Sequence, residues 1–476
     1  MSIVREPKDP DSGEPDPTSG QGRPDAHDVM DGSASGSSAR SRSAKTPGTL
    51  GSAYSQPAFR RIWYGNLASN VGTWMQNITL GVLAYQLTGA AWFIGVITFA
   101  QLGPMLIVSP IGGAIADRVD RRRLMIGIAF GQTGLSMLLA VVALAAQPNR
   151  IALVLIVFCI GIGNSINGPT FSAMLPALVG RSDLQGAVAL NSAAMNTSRV
   201  VGPILGGLAA ELGGPSLVFA LNGLTYLFVV WAVATVHADF SPKGHSGESP
   251  WQQIKEGVVA AKADPVVLRV LVMISVFSLC SLVFIYQMPL IAEERLGIDG
   301  LAYTLLFAAF AFGAALGAIS MGTMFSEVSR SRMSTGSIYV FAAALAVFGV
   351  TTSTWLAFPA VFVTGGAYFV LVTALSTTLQ MRVSDDVRGR VMGLWMMGWA
   401  GLVPVGGLIA GPLIDAIGVA PVLVFGAVVA AALGILIWTR GSVSLLVVLY
   451  SVSVFLTFAI SLFGLCIYWW RHRGEQ

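Results

Sequence analysis

Residues 112–123 read GGAIADRVDRRR, a short polar break between two long apolar runs. Two glycines lie shortly before the Asp117 carboxylate, and four arginines follow within six residues. Arginines collected in a short loop between apolar runs are typical of the cytoplasmic side of a membrane protein. The stretch therefore predicts a tight connection between two membrane-spanning helices, with its charges at the inner membrane face.

The composition of the whole chain agrees with a membrane protein. Of its 476 residues, 54% are hydrophobic and only 11% are charged, whereas a soluble protein carries about 25% charged residues. This is too little charge to cover a water-exposed surface, which excludes a cytosolic enzyme, a disordered scaffold and a secreted disulfide domain. The apolar runs are continuous rather than alternating, so helices are expected and not a β-barrel.

The apolar runs have the length of a bilayer-crossing helix, about 20 residues. We place twelve spans near residues 62–85, 93–116, 124–146, 151–174, 188–211, 216–236, 267–290, 302–325, 334–352, 356–379, 390–414 and 421–439. With a cytoplasmic N-terminus, the outer loops hold only Arg150 and Arg295, and the other loop arginines and lysines lie inside. The net charge of +4 is then explained by inner loops, and no nucleic-acid partner is expected.

The chain divides into two similar halves. VFCIG at 157–161 recurs as VFVTG at 361–365, and DLQGAV at 183–188 parallels DVRGRV at 386–391. The predicted parts are a disordered cytoplasmic tail at 1–56, a six-helix half at 57–236, a linker with a basic amphipathic helix at 237–266, a second six-helix half at 267–440, and an additional hydrophobic helix with a short basic tail at 441–476. The apolar run at 442–470 is expected to be a peripheral span, although a fold-back or in-plane helix stays open because Arg471 and Arg473 would otherwise lie outside.

Gly113, Asp117, Arg118, Arg121 and Arg122 match the fixed positions of the motif between helices 2 and 3 in the major facilitator superfamily. The chain resembles that superfamily over residues 57–440, which implies six plus six membrane helices in two pseudo-symmetric halves. The resemblance implies that Asp117 and Arg121 form a latch that shuts the inner gate. The alternative is an ordinary positively charged inner loop.

A second motif lies in the fifth span. Gly202, Pro203, Gly206 and Gly207 resemble the G-P-x-x-G-G motif of superfamily exporters and antiporters, with Ser198 in place of the usual leading glycine. The alternative is a set of small residues that only allow close helix packing. Together with residues 388–391, the stretch 190–207 is similar to the branch that holds the enterobactin exporter and Tap-type drug efflux pumps.

The family's central cavity is lined mainly by helices 1, 4, 7 and 10, and polar residues on these helices are candidate substrate contacts. Asn66, Asn70, Thr73 and Asn77 share one face of the first span, since their spacing follows the helical period. The other candidates are Trp74, Asn164, Asn167, Asn196, Phe277, Phe284, Tyr286, Tyr368, Trp395 and Trp399. For each of these residues, hydrogen bonding between helices without ligand contact is the alternative.

Arg199 lies in the middle of the fifth span, where an unpaired charge is costly. No carboxylate occupies a mid-span position in the sequence. We expect Arg199 to bind an anionic substrate or to make a gating contact between the halves; pairing with backbone carbonyls and amides is the alternative. Proton exchange is the family default, with Asp117, Glu211 and Asp415 as candidates, and no P-loop indicates ATP-driven transport.

The sequence predicts a secondary active transporter that exports amphipathic small molecules, such as drugs or siderophore-like compounds, by alternating access. It is not expected to be an enzyme, to bind a cofactor or to hold a metal, because Cys159, Cys280 and Cys466 stand singly in apolar runs. Its expected partners are the substrate, protons and the lipid bilayer of a bacterial inner membrane, where it acts as a monomer. Metabolite uptake, lipid flipping and a non-transporting sensor are the alternatives.

Overall fold

The computed structural model describes residues 49–241, 250–322 and 328–439. Within these ranges it describes no side chain for Pro110, Gly113, Ala114, Ala116, Asp117, Arg181, Pro250, Gly322, Asp385 and Asp386. The described part is helical throughout and contains no strand, so the all-α fold class is confirmed. The apolar run at 442–470 lies outside the described residues.

The first part of the chain forms six helices as the residues are numbered. They are α1 (Leu50–Ser55), α2 (Pro57–Thr88), α3 (Ala91–Leu102), α4 (Pro104–Arg118), α5 (Arg121–Val142) and α6 (Arg150–Thr235). Helix α6 leaves helical geometry at Gly180, with φ 75°, and again at Gly213 and Gly214, the latter with φ 68°. A positive φ is the left-handed region that glycine enters at little cost, so these positions divide α6 into three rods.

The second part continues with helices α7 (Pro250–Ala263), α8 (Pro265–Ser281), α9 (Phe284–Leu290), α10 (Gly300–Gly322), α11 (Arg330–Val350), α12 (Thr354–Arg382), α13 (Asp385–Met396), α14 (Leu402–Ile417) and α15 (Val419–Trp438). A π-helical turn at Ile291–Arg295 follows α9, and another at Met397–Gly401 joins α13 to α14. Each extended rod that contains one of these turns is therefore irregular partway across the membrane, and such π turns are frequent at functional sites.

Ten helices among the described residues are long and apolar enough to cross a membrane. One of them, Ser182–Thr235, has 54 residues and would be about 80 Å long if straight, so the break at Gly213 and Gly214 makes it two crossings. Helix α2 has 32 residues but is too polar to be among the ten. Counting that division and α2, the described part crosses the membrane twelve times, in agreement with the predicted spans.

The predicted disordered tail at 1–56 is corrected at its end, because residues 50–55 form helix α1. The Thr49 hydroxyl accepts a hydrogen bond from the Ser52 backbone at 3.2 Å and caps this helix. Ala53 is fully buried, and the Thr49 carbonyl lies so close to Gly186 that only glycine fits there. A single helical turn and a half is too short for an apolar period, so packing on α6 decides this helix rather than its own sequence.

The ends of the molecule differ in charge. Glu211, Glu293, Glu294 and Asp415 lie at the end where α2 finishes and α3 begins, which we call the acidic end. The opposite, basic end carries Arg118, Arg121, Arg122, Arg123, Arg382 and Arg390. The main apolar core runs between these ends through α2, α3, α5 and α6 and through α8 to α15. The domain boundaries at 57, 237 and 267 stay predictions.

Candidate functional site

Arg199 lies in the second rod of α6 between two aromatic rings from other helices. Its guanidinium carbon is 5.5 Å from the ring centre of Trp74 on α2 and 5.0 Å from that of Phe369 on α12. A guanidinium over an aromatic face gains about 0.5–2 kcal/mol. The two rings therefore stabilise a cation that would otherwise be costly in the apolar interior, and they join the fifth crossing to the tenth.

The charge of Arg199 is only partly satisfied. Its Nε is buried and has no hydrogen-bond partner in the described structure, and the described ion pairs do not include Arg199. Cation–π contacts do not replace a hydrogen-bond acceptor for a buried N–H, because the donor's desolvation is left uncompensated. Arg199 therefore presents an unused donor and a net positive charge, which suit an anionic or acceptor-rich group.

Two tyrosines and a tryptophan complete the surroundings of this arginine. Trp399 Nε1, in the π turn at Met397–Gly401, donates a hydrogen bond to the Tyr368 hydroxyl at 2.8 Å. Tyr368 stacks on the rings of Phe277 and Phe310, each at 6.2 Å between centres. Tyr286 lies within electrostatic range of Arg199. The structure thus brings together Trp74, Arg199, Tyr286, Tyr368 and Trp399 of the predicted candidates, and we call these five residues with Phe369 the arginine cage.

The predicted amide face of α2 makes hydrogen bonds between helices. Asn66 Nδ2 donates to Asn191 Oδ1 at 3.2 Å, and Thr73 shares a hydrogen bond of 3.1 Å with the Tyr226 hydroxyl. Asn77 accepts from the side chain of Gln101. These bonds are the packing alternative stated above, and Asn70 is half-buried beside them. A substrate contact by any of the four stays a prediction.

The remaining candidates separate into buried and partly exposed groups. Phe277, Phe284 and Trp395 are buried in the core. Asn164 accepts from Gln132 Nε2 at 3.1 Å, whereas Asn167 and Asn196 are half-buried. The structure does not bring these residues into the arginine cage.

Sequence patterns missed a buried polar cluster beside α2. Gln76 Oε1 accepts from Asn222 Nδ2 at 2.9 Å and from Ser136 Oγ at 3.2 Å, and all three residues are buried. Each partner lies in a different helix, namely α2, α5 and α6. A glutamine at 76 inside an apolar run was the available signal, because a lone amide in a membrane helix needs a partner.

The acidic end is closed by carboxylates that cap helices across the molecule. The Asp415 carboxylate, near the end of α14, accepts from the backbone N–H of Ala91 at 2.7 Å and of Trp92 at 2.9 Å. The Glu211 carboxylate, near the end of the second rod of α6, accepts from the backbone N–H of Leu301 at 3.2 Å. Both therefore sit at helix N-termini, where exposed N–H groups favour negative charge.

Side-chain contacts and small residues tighten the same closure. The Tyr85 hydroxyl donates to Glu294 at 3.0 Å. A Cβ added at Gly411 would lie 2.6 Å from Trp92 Cα, and one at Gly207 would lie 2.5 Å from Thr304 Oγ1. These glycines let α14 reach α3 and let α6 reach α10 at backbone distance, so the acidic end has no room for a solute between these helices.

The exporter-type motif in α6 acts first as a packing surface. A Cβ at Gly202 would lie 2.5 Å from Trp74 Cβ, and one at Gly206 would lie 3.1 Å from Met75 Cα. Pro203 is buried between them. The motif therefore brings α6 against α2 at the height of the arginine cage, while Gly207 contacts α10.

The basic end is open. A cavity of about 760 Å³ lies there between α4, α6, α7 and the rod formed by α13, its π turn and α14. Its lining residues are Met105, Ser109, Ser172, Gln253, Ile254, Gly389, Arg390, Met392, Gly393, Leu394, Met396, Met397 and Gly401. None of the predicted substrate contacts is among them, because the sequence pattern marked helices 1, 4, 7 and 10 and the cavity is lined mostly by the eleventh crossing. Flexible methionines suit a pocket for varied apolar ligands.

The predicted inner latch is described only in part. Arg121 donates to the Ala173 carbonyl at 3.4 Å, and Arg122 donates to the Ala234 carbonyl, both in α6. The side chain of Asp117 lies outside the described residues, as does the Cβ-free position of Gly113. The linker helix α7 is held at the mouth of the cavity, where Glu256 pairs with Arg390 of α13 at 2.9 Å.

Comparison with known proteins agrees with this architecture. The family model described as transmembrane secretion effector matches residues 49–450. Similar curated proteins include the enterobactin exporter EntS of Escherichia coli O1:K1 and that of Shigella boydii serotype 4, each 24% identical over 340 residues, which is 71% of this chain and 81% of the relative.

Solved structures share the fold. The nucleoside transporter NupG has a TM-score of 0.67 at 12% identity and covers 81% of this chain and 99% of its own. A bacterial homologue of the human lysosomal transporter Spinster, in an inward-facing and unoccupied conformation, has a TM-score of 0.64 at 16% identity over 80% of this chain and 97% of its own. The resemblance read from the motifs is confirmed: this multi-pass membrane protein belongs to the transmembrane secretion effector family of major facilitator superfamily transporters.

Proposed function

We propose that this transporter exports amphipathic small molecules with an aromatic or planar part and a negatively charged or acceptor-rich group. Drugs and siderophore-like compounds belong to this class, and the similarity to proteins named enterobactin exporters supports export as the direction. One observation carries the proposal. A molecule closed at its acidic end and open at its basic end places a cation, aromatic faces and an unused N–H between the two.

The orientation proposed here follows the charge distribution. Lys and Arg collect at the cytoplasmic side of membrane proteins, so the basic end is placed in the cytoplasm and the N-terminus with it. The cavity of about 760 Å³ then faces the cytoplasm. In that state the transporter takes up its cargo from inside the cell, and release requires the acidic end to open. We place it in a bacterial inner membrane, as a monomer.

Proton exchange is proposed to act through the carboxylates at the acidic end. Glu211 and Asp415 are exposed there, so protons from the outer solution reach them directly. Adding a proton removes the negative charge that each places on a helix N-terminus, which weakens the closure. Protonation from outside would in this way favour the open outer state that releases cargo. Asp117 at the basic end remains the third candidate.

The test is transport by the purified full-length protein in proteoliposomes. A small panel of drugs and of catecholate and hydroxamate siderophores is offered with and without an imposed pH gradient. We expect uptake into vesicles of the inverted orientation, faster with an acidic lumen, for anionic aromatic compounds. Transport that ignores the gradient would reject proton exchange, and preference for small hydrophilic metabolites would reject the proposed substrate class. Arg199→Gln serves as the transport-deficient control.

A further inference from the structure

A second cavity lies at the basic end, away from the pathway just described. It measures about 470 Å³ and lies between α8, α11, α12 and α15. Its lining residues are Val266, Arg269, Val270, Met273, Arg330, Ser331, Ser334, Leu375, Thr378, Met381, Arg382 and Ile437. It shares no residue with the larger cavity and none with the arginine cage, so cargo movement does not explain it.

Three guanidinium groups from three different helices converge on this cavity. Arg382, at the end of α12, donates to Asp264 at 2.5 Å. Arg269 on α8 and Arg330 at the start of α11 have no side-chain hydrogen bond or ion pair with any residue in the described part of the chain. Three arginines against one carboxylate leave a net positive charge on one wall of the cavity, and two of these arginines have all their donors available.

The rest of the wall is apolar. Val270, Met273 and Leu375 line it on the side of the membrane core, and Ile437 closes it from α15. Ser334 and Thr378 donate to backbone carbonyls of their own helices, so their hydroxyls offer little to a ligand as donors. A cavity with a cationic rim and an apolar floor fits a ligand with an anionic head and an apolar body.

The chemistry of the rim points to a phosphate. Arginine presents a planar fork of donors that matches phosphate oxygens, and such charge-assisted bonds are stronger than neutral ones. The basic end lies at the level of the lipid headgroups, where acidic phospholipids attract clustered Lys and Arg. The predicted apolar segment at 442–470 follows α15 but contains no acidic residue, so it would leave the three arginines uncompensated.

We propose that this cavity binds the phosphate headgroup of an acidic phospholipid, with Arg269 and Arg330 as its main ligands. The lipid then ties α8, α11, α12 and α15 together at the inner face. This site is independent of the transport pathway and of the proposed cargo.

The test compares the thermal unfolding of the full-length protein in nanodiscs of pure phosphatidylcholine with that in nanodiscs containing phosphatidylglycerol. Native mass spectrometry counts the retained lipids. We expect phosphatidylglycerol to raise the Tm of the parent protein. In the double variant Arg269→Gln with Arg330→Gln, we expect most of this rise to be lost and the affinity for phosphatidylglycerol to fall about tenfold or more. The matched control is Arg332→Gln, an exposed arginine two residues further along α11 that does not line the cavity.

Three outcomes would overturn the proposal. An equal loss in Arg332→Gln would mean general surface attraction instead of a site. A rise of the same size with inorganic phosphate in phosphatidylcholine nanodiscs would assign the pocket to free phosphate. A Tm that does not depend on the headgroup, but falls in the double variant in every lipid, would assign the pocket to the chain's own segment at 442–470.

Discussion

Glu211 and Asp415 occupy the same position in the two repeats of the chain, and each caps a helix that the other does not touch. Asp415 follows Glu211 by 204 residues, the offset that also separates VFCIG from VFVTG. Glu211 caps α10 and Asp415 caps α3. The glycines four positions before them, Gly207 and Gly411, keep the same offset and bring the capping helix to its target. The duplication has therefore produced two matching latches at one end of the molecule.

Neutralising a latch carboxylate is predicted to open the acidic end. Asp415→Asn retains one acceptor but loses the charge at the start of α3, which costs about 1 kcal/mol of closed state. We expect about a fivefold rise in labelling of Thr304→Cys by an impermeant thiol reagent added outside, in a background with Cys159, Cys280 and Cys466 replaced by Ser. Glu211→Gln is expected to act in the same direction, and the double variant to exceed either.

The matched control for this experiment is Glu293→Gln. Glu293 lies at the same end and is exposed, and in the described structure its carboxylate accepts no hydrogen bond from another helix. The same charge is removed without touching a latch, so labelling should stay at the parent rate. If Glu293→Gln raised labelling as much as Asp415→Asn, surface charge and not helix capping would explain the effect.

Substitutions at Arg199 are predicted to separate charge from shape. Arg199→Gln removes the cation between Trp74 and Phe369, whereas Arg199→Lys keeps the charge but loses the planar group and the Nε donor. We expect transport to fall about tenfold or more in Arg199→Gln and less in Arg199→Lys, at equal protein abundance. A rise in KM indicates substrate contact, and a fall in maximal rate indicates a gating contact. Parent-like transport in both variants would remove Arg199 from the mechanism.

An added methyl group at Gly411 is predicted to prevent closure. In Gly411→Ala the new Cβ would lie 2.6 Å from Trp92 Cα and 2.9 Å from the Ala91 carbonyl. Overpacking of this kind costs about 1–3 kcal/mol, and only the closed state pays it, so export should slow while the protein still folds. In Gly127→Ala, on α5, the Cβ meets nothing within 4 Å. That control should transport normally; equal slowing in both would contradict close approach as the cause.

The Asp264–Arg382 pair is predicted to make stability depend on pH. Burial raises the pKa of Asp264, but hydrogen bonds from Arg382 and from the Val266 and Val267 backbones, with the Arg382 charge, lower it further, so its pKa lies below the ordinary value. A carboxyl with a lowered pKa stabilises the fold above its unfolded pKa of about 4, and this contribution is lost as the pH falls through the folded-state pKa. The Tm in detergent should therefore drop on acidification.

Two substitutions divide the roles of Asp264. Asp264→Asn keeps a good N-cap for α8 and loses the exposed ion pair, at a cost of about 0.5 kcal/mol at neutral pH. Asp264→Ala loses the cap as well, for about 1 kcal/mol more. The asparagine variant should show a smaller pH dependence of Tm than the parent. An unchanged pH dependence would show that Asp264 is not the group responsible.

The arginine cage shows where sequence reasoning succeeded and where it stopped. Arg199 was recognised because a lone charge in an apolar run is a local feature, and Trp74, Tyr286, Tyr368 and Trp399 were recognised as aromatics on the helices expected to line a cavity. Phe369, which lies closest to the guanidinium, was missed, because it differs in no way from the other phenylalanines of α12 until the helices are packed. The cavity beside the eleventh crossing was missed for the same reason.

The sequence alone determined the membrane location, the helical class, the number and limits of the crossings, the duplication and the charge difference between the two ends. Each of these depends on hydropathy, length or charge within a few tens of residues. Only the tertiary structure decided that Glu211 and Asp415 cap helices, that Gln76 meets Asn222, and that Arg269 meets Arg330. Those pairs come from separate helices, and their distances depend on how the helices pack, which no local pattern encodes.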